Sequence, residues 1–277
     1  MKFRQYPLSL YKTILLAFAP IEKLGENAEP AAVPVIVSLT SIPSRLKIVH
    51  LVIRSLLDQT VRPEKILLWL HRDLKSEIPP KLQKLTSDRF EICYSDERGP
   101  HRKLVETLRL FPDKHIVTCD DDHIYPPDWI ERLQQEHQRY PDAIVAHMCR
   151  VFRYEGADLR PYRQWHGERE GHGSPLTLAV GWGGVWYPPA SLHRDVTSRE
   201  MYDSLAPRAD DMWFKAMSIR QGTQTRRTTH PLPEPGPIIF SQGLSLQTTN
   251  IGEDDNRKQW LKLANHFQID LVSHDAN

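Results

Sequence analysis

The chain has 277 residues, with 36 Lys+Arg against 35 Asp+Glu and a formal net charge of +1. That balance argues against a general nucleic-acid binder, which carries a clearly basic surface, but leaves room for a local basic pocket. Hydrophobic residues at 40% and charged residues at 26% can build a sizeable core and exclude disorder by composition. Three scattered cysteines, Cys93, Cys119 and Cys149, form no CxxC pair. This argues against a disulfide framework or a structural zinc and fits a reducing, cytoplasmic compartment.

Residues 6–21 are the most apolar stretch, preceded by Lys2 and Arg4 and interrupted by Lys12. The run is shorter than the ~20 residues of a spanning helix. Three readings stay open: a helix packed on the domain, a signal peptide ending at Ala17-Phe18-Ala19, and an interfacial helix on the inner face of the membrane, held by its basic residues. Residues 22–32 then form a polar linker, and 33–277 a single domain.

From residue 33 onward, strand-like and helix-like segments alternate. Residues 33–39, 65–70, 90–94, 115–119 and 143–148 are short apolar runs expected to be buried strands. Between them, Leu46, Val49, Val52, Ile53, Leu56 and Leu57 repeat at helical spacing behind a cap at Ser44. A short helix is expected near 81–85, a longer one through Leu104, Leu108 and Phe111, and another carrying Trp129, Leu133 and Glu136 that opens at Pro126-Pro127. The fold class is therefore α/β, with repeated β-α-β units around a mainly parallel sheet. Residues 153–184 hold seven of the 13 glycines and read as irregular loops over a site. Helices return over 210–221 and 254–267.

Cys119-Asp120-Asp121-Asp122-His123 closes the fourth strand. In an extended chain Asp120 and Asp122 point to one side and Asp121 to the other. Carboxylates at the carboxyl end of a parallel strand stand where open α/β sheets bind ligands. Like charges held together call for a cation or donors, and a hard ion, Mn²⁺ or Mg²⁺, takes one or two carboxylates and completes its shell with phosphate oxygens and water. A solvated acidic turn, or the cap of the next helix, is the competing reading. Asp128, in a first helical turn, is explained by the helix dipole.

Asp120-x-Asp122 resembles the DxD motif of GT-A glycosyltransferases, and the surrounding pattern resembles bacterial family-2 enzymes over roughly residues 33–260. The resemblance rests also on Ser38-Leu39-Thr40-Ser41-Ile42-Pro43-Ser44-Arg45, on Gly99-Pro100-His101-Arg102-Lys103-Leu104, on Gly181-Trp182-Gly183-Gly184 with Val185-Trp186-Tyr187-Pro188-Pro189, and on Ala209-Asp210-Asp211-Met212-Trp213. It implies a GT-A fold with a nucleotide-sugar-binding half (33–150) and an acceptor-side half (151–277). It implies an inverting transferase moving a sugar from a nucleotide-sugar donor to a glycan or lipid-linked acceptor, in capsule, lipopolysaccharide or related polysaccharide biosynthesis. Asp122 would ligate the metal, with Asp120 second, and Asp211 would be the base, with Asp210 second. Thr40, Arg45, Lys103, Asp120, Asp121, Gly183 and Gly184 would face the donor, and Trp182 the acceptor. Two places depart from the family pattern: His71-Arg72-Asp73-Leu74-Lys75 replaces the usual acidic motif, and Glu253-Asp254-Asp255-Asn256 matches its Asn-Asp pair only loosely.

From the residues themselves, Gly181, Gly183 and Gly184 let backbone approach a ligand closely, Trp182 offers a face for a sugar, and Trp186 reads as core. Trp165 and His166 belong to a loop, and His230 is a loop histidine or a further metal ligand. Asp210 and Asp211 either cap the helix they open or serve as a base, and its dipole favours their ionised forms. A nucleotidyltransferase predicts a Gly-rich loop after the first strand, where LTSIPSR has none. The remaining alternative is a non-catalytic sugar-binding component of a polysaccharide assembly complex.

Overall fold

The computed structural model describes residues 13–26, 32–232, 236–238 and 254–272. The expected strands form as β1 (Ala32–Thr40), β2 (Arg62–His71), β3 (Phe90–Ser95), β4 (His115–Thr118) and, after the two-residue β5 (His123–Ile124), β6 (Ile144–Ala146). The chain continues through β7 (Cys149–Val151), the hairpin β8 (Tyr154–Glu155) and β9 (Asp158–Leu159), β10 (Thr177–Ala179), β11 (Val185–Tyr187), β12 (Thr225–Arg227) and β13 (Gly236–Pro237). Among the described residues, seven strands make the main sheet in the order β12-β6-β11-β4-β1-β2-β3. Its pairings are parallel except those of β11, which runs antiparallel to both β4 and β6.

Both faces of this sheet are covered, as a mainly parallel sheet requires. Val35, Val37 and Leu39 of β1 point into one core with the Val49–Leu57 helix and Trp129, while Ile36 points to the other face beside Leu67 and Trp69. A second core is built on Leu104, Ile116, Trp213, Met217 and Trp260. β1 is buried on both faces from Val35 to Leu39, so its sequence reads as a near-continuous apolar run rather than an alternation. Helices span Pro80–Gln83, Arg102–Leu110, Trp129–Arg139, Arg199–Leu205, Asp210–Gln221 and Asp255–Phe267. Ser44 does not cap the first long helix. It lies in a 3-10 turn, Pro43–Arg45, and Ile48 stands at the cap.

Residues 153–184 are irregular, with short strands and 3-10 turns. They lead into β11, whose antiparallel run lays Val185 opposite Thr118. The Gly181–Gly183 turn therefore arrives beside the carboxyl end of β4. Gly183 and Gly184 are glycines for a packing reason. A Cβ at Gly183 would meet Met148 Cγ at 2.6 Å, and one at Gly184, where φ is +100°, would meet the Trp129 ring at 2.4 Å. Trp165 is also a core residue, buried against Phe152 with ring centroids 4.4 Å apart. Trp186 is buried as read, stacked on His137 at 5.0 Å.

Of the N-terminal segment, residues 13–18 are helical, and Leu16 and Ala19 pack on the core. Residues 1–12 and 27–31 lie outside the described residues, as does Glu253. No helix among the described residues is long and apolar enough to cross a membrane.

Gly184→Ala should cost on the order of 3 kcal/mol in chemical denaturation, because strain and overlap with a buried ring act together. Gly156→Ala also has positive φ, +58°, but meets no atom within 4 Å. It should cost only about 1 kcal/mol. Equal losses would remove the packing explanation.

Candidate active site

Asp120 leaves the end of β4 with its backbone N–H donating to the Tyr125 hydroxyl at 2.9 Å. The same hydroxyl donates to the Trp182 carbonyl at 3.1 Å. Tyr125 is fully enclosed, and through these contacts it fixes the strand-end aspartate and the glycine-rich turn to one another. The sequence reading missed this role; the available signal was an aromatic hydroxyl three residues past the acidic triplet.

The Asp120 carboxylate meets Lys103 Nζ at 2.7 Å, and the same ammonium lies 3.0 Å from Asp210 Oδ2. Lys103 is buried in the Arg102–Leu110 helix. Its carbonyl accepts the Ser38 hydroxyl, which anchors that helix turn to β1. Burial alone would favour the neutral amine, but Asp120, Asp210 and Asp211 hold its pKa well above the ordinary lysine value. Asp210 is lowered: burial opposes ionisation, and Lys103, then His101, overcome it.

Asp211 behaves differently. Its carboxylate accepts the Gly181 N–H at 3.1 Å. Burial, then repulsion from Asp210, push it up from 3.8 to about 8 against the pull of Lys103. The expectation that the helix dipole keeps both carboxylates ionised thus fails for Asp211, where desolvation and a like charge exceed the dipole. The capping reading fails as well, since Ala209 occupies the cap of the Asp210–Gln221 helix. Gly181 faces this cluster: a Cβ there would stand 3.0 Å from both Asp211 Oδ1 and Lys103 Nζ.

The other two aspartates are compensated from within the chain. Arg45 places NH1 at 2.6 Å from Asp121 and NH2 at 2.9 Å from Asp122. Asp121 also accepts the Ser41 hydroxyl at 2.5 Å, and Asp122 lies 2.6 Å from His123 Nδ1. Asp121 is raised, chiefly by burial. Asp122 is lowered, because the bond and charge of His123 and the charge of Arg45 outweigh its burial. Arg45 therefore sits on the acidic triplet. The Thr40 hydroxyl donates to the Trp69 carbonyl at 2.9 Å and accepts Arg102 Nε at 2.8 Å.

Trp182 is half-buried and stacks on His123, with ring centroids 5.5 Å apart, at the edge of this cluster. Asp73 lies on the exposed rim beyond β2, bonded by Arg98 at 2.8 Å. His166 and His230 are exposed. Asp254 accepts the Tyr162 N–H at 2.8 Å and so secures a loop.

Among the described residues, no group of three or more His, Cys, Asp or Glu stands ready to hold a metal ion. A divalent ion that shares a diphosphate needs only one or two carboxylates. Asp120 and Asp210 share the charge of Lys103, and Asp121 and Asp122 that of Arg45. Asp120, a third exposed with one oxygen on Lys103, fits a ligand role as it stands. Asp122 fits it once Arg45 releases its Oδ2.

The family model for glycosyl transferase family 2 matches residues 44–197, more than half of the chain and the stretch holding the triplet and the glycine-rich turn. The chain belongs to glycosyl transferase family 2. No curated protein matches the sequence. Among 202 solved chains that match is CMP:2-keto-3-deoxy-manno-octonic acid synthetase complexed with CTP. It is 12% identical with a TM-score of 0.43, and the match covers 75% of this chain and 92% of that one.

The raised Asp211 gives a signed pH effect. Above pH 4 the unfolded chain has released this proton, while the folded chain retains it up to about 8. Its contribution to stability is therefore present at low pH and is lost as pH rises through that window. Thermal midpoints of wild type and Asp211→Asn from pH 5 to 9 should diverge, with the variant gaining on wild type as pH rises. Parallel curves would contradict a protonated Asp211.

Proposed function

We propose that the protein is a metal-dependent inverting glycosyltransferase. It moves a sugar from a nucleotide-sugar donor to a glycan or lipid-linked acceptor, within cell-surface polysaccharide biosynthesis. The observation that carries this reading is the buried ammonium of Lys103, which joins Asp120 on the donor-side half to Asp210 and its neighbour Asp211 on the acceptor-side half. Groups suited to a leaving diphosphate and a group suited to an incoming hydroxyl thus share one place.

Mn²⁺ or Mg²⁺ held by Asp120 and Asp122 would supply positive charge where the leaving diphosphate develops negative charge. Lys103 holds Asp120 in position. Asp211 accepts the proton of the acceptor hydroxyl, whose oxygen bonds to the anomeric carbon as the bond from that carbon to the diphosphate oxygen breaks, with inversion. Its value of about 8 places it near a working pH, where a general base is most effective. The Gly181 N–H steadies the carboxylate. Trp182 offers an aromatic face to the acceptor sugar.

Donor-hydrolysis and transfer assays over UDP, GDP and CMP sugars, with and without Mn²⁺, test this. One donor should raise the thermal midpoint only with metal. Asp122→Ala and Asp211→Asn should each lose roughly 100-fold or more in turnover while staying folded, and wild-type kcat/KM should climb with pH towards about 8. Retained transfer in Asp211→Asn would remove that residue from the mechanism. Pyrophosphate release from a nucleoside triphosphate and a free sugar would point to nucleotidyl transfer instead, and no shift with any nucleotide to a non-catalytic binder.

A further inference from the structure

A cleft of about 340 Å³ opens at the amino ends of β2 and β3, at the far end of the strands from the aspartates. Arg62, Lys84 and Arg89 line it together with Gly25, Ile21 and Leu24. Arg62 donates to the Gly25 carbonyl at 3.1 Å, and Arg89 to the Leu57 carbonyl at 3.2 Å. Glu22 and Glu26 also border the cleft, yet among the described residues no ion pair joins them to these three cations. Arg62 Nε is buried without a partner. Burial and the adjacent charge of Arg62 lower the pKa of Arg89. Gly25 holds φ at +74°, and a Cβ there would reach 2.7 Å from Leu57 O and 3.4 Å from Arg89 NH1. Bare backbone therefore closes one wall against the two guanidinium groups. Two partly desolvated cations side by side call for an anion between them.

The neighbouring surface adds a second, apolar requirement. Arg54 donates to the carbonyls of Leu16 and Ala19, fixing the inner side of the N-terminal helix to the domain. The outer side shows Ile14, Leu15 and Phe18 at 47%, 51% and 82% exposure, and it continues into Ile21 at 39%, itself a wall of the cleft. A water-facing surface seldom leaves four such side chains together. Exposed apolar groups bordering anion-seeking arginines match the layering of a bilayer interface, where acyl chains lie beneath charged headgroups.

We propose that this face docks on an anionic membrane, with Phe18 and its neighbours in the acyl boundary and a lipid headgroup phosphate between Arg62 and Arg89. The register sets the aspartate end of β4 level with Trp69, seven residues along β2 from Arg62, so this cleft and the aspartate site lie about 25 Å apart, and docking leaves the other site open. The inference does not depend on the transfer reading.

The test is co-sedimentation of the full chain with phosphatidylcholine vesicles, with or without about 30% phosphatidylglycerol, at about 0.1 M salt. Binding should need the anionic lipid, and the double variant Arg62→Ser/Arg89→Ser should weaken it roughly tenfold or more. Phe18→Ser alters only an exposed side chain, so its thermal midpoint should hold while its partition falls by a similar factor. No vesicle binding, or unchanged binding in Phe18→Ser, would overturn the proposal. Inorganic phosphate that raises the wild-type midpoint but not the double variant's, without vesicle binding, would make the cleft a site for a soluble anion and overturn it too. So would a dimer that Phe18→Ser converts to monomer with vesicle binding unaffected.

Discussion

The end of β4 and the start of the Asp210–Gln221 helix share one buried ammonium group. Lys103 reaches Asp120 at 2.7 Å and Asp210 at 3.0 Å from a helix turn pinned to β1 through Ser38. Its burial makes that arrangement stringent. A buried cation needs its partners, and removal of either side leaves an uncompensated charge. Asp211 then takes its character from position: it stands beside the pair, receives only part of the lysine's field and answers to Asp210 as a like charge. A paired carboxylate and a proton-holding one arise on adjacent residues of a single helix turn.

The acidic triplet follows a related logic with different components. Three consecutive aspartates are tolerated here because Arg45, Ser41, His123 and Lys103 divide them among themselves. The sequence alone suggests a divalent ion as the reason the carboxylates cluster. In the structure the chain supplies its own cations, Arg45 for Asp121 and Asp122 and Lys103 for Asp120. Arg45 lies on the turn after β1, so these contacts tie that turn to the end of β4.

Much of the architecture is legible from local pattern. The runs at 33–39, 65–70, 90–94 and 115–119 are strands because short stretches rich in apolar residues sit between turn formers, and 210–221 is a helix with the expected ends. β11 escaped because its three residues gain their place from pairing with β4 and β6, long-range contacts that leave no periodic mark. At the site, the acidic residues are visible by spacing, but their partners are not. Arg45 and Asp121 are 76 residues apart, and nothing local announces their contact. Gly183 and Gly184 show a further limit. A glycine-rich turn looks the same in sequence whether a ligand or a tryptophan ring occupies the space beside it.

The central claim is energetic, that Lys103 and Asp210 depend on one another. A double-mutant cycle with Lys103→Met and Asp210→Asn, read by chemical denaturation at neutral pH, measures this directly. Each single change should cost about 3 kcal/mol or more, and the pair should recover about 2 kcal/mol of the summed loss. Losses that add to within about 0.5 kcal/mol would mean that the two groups do not hold each other.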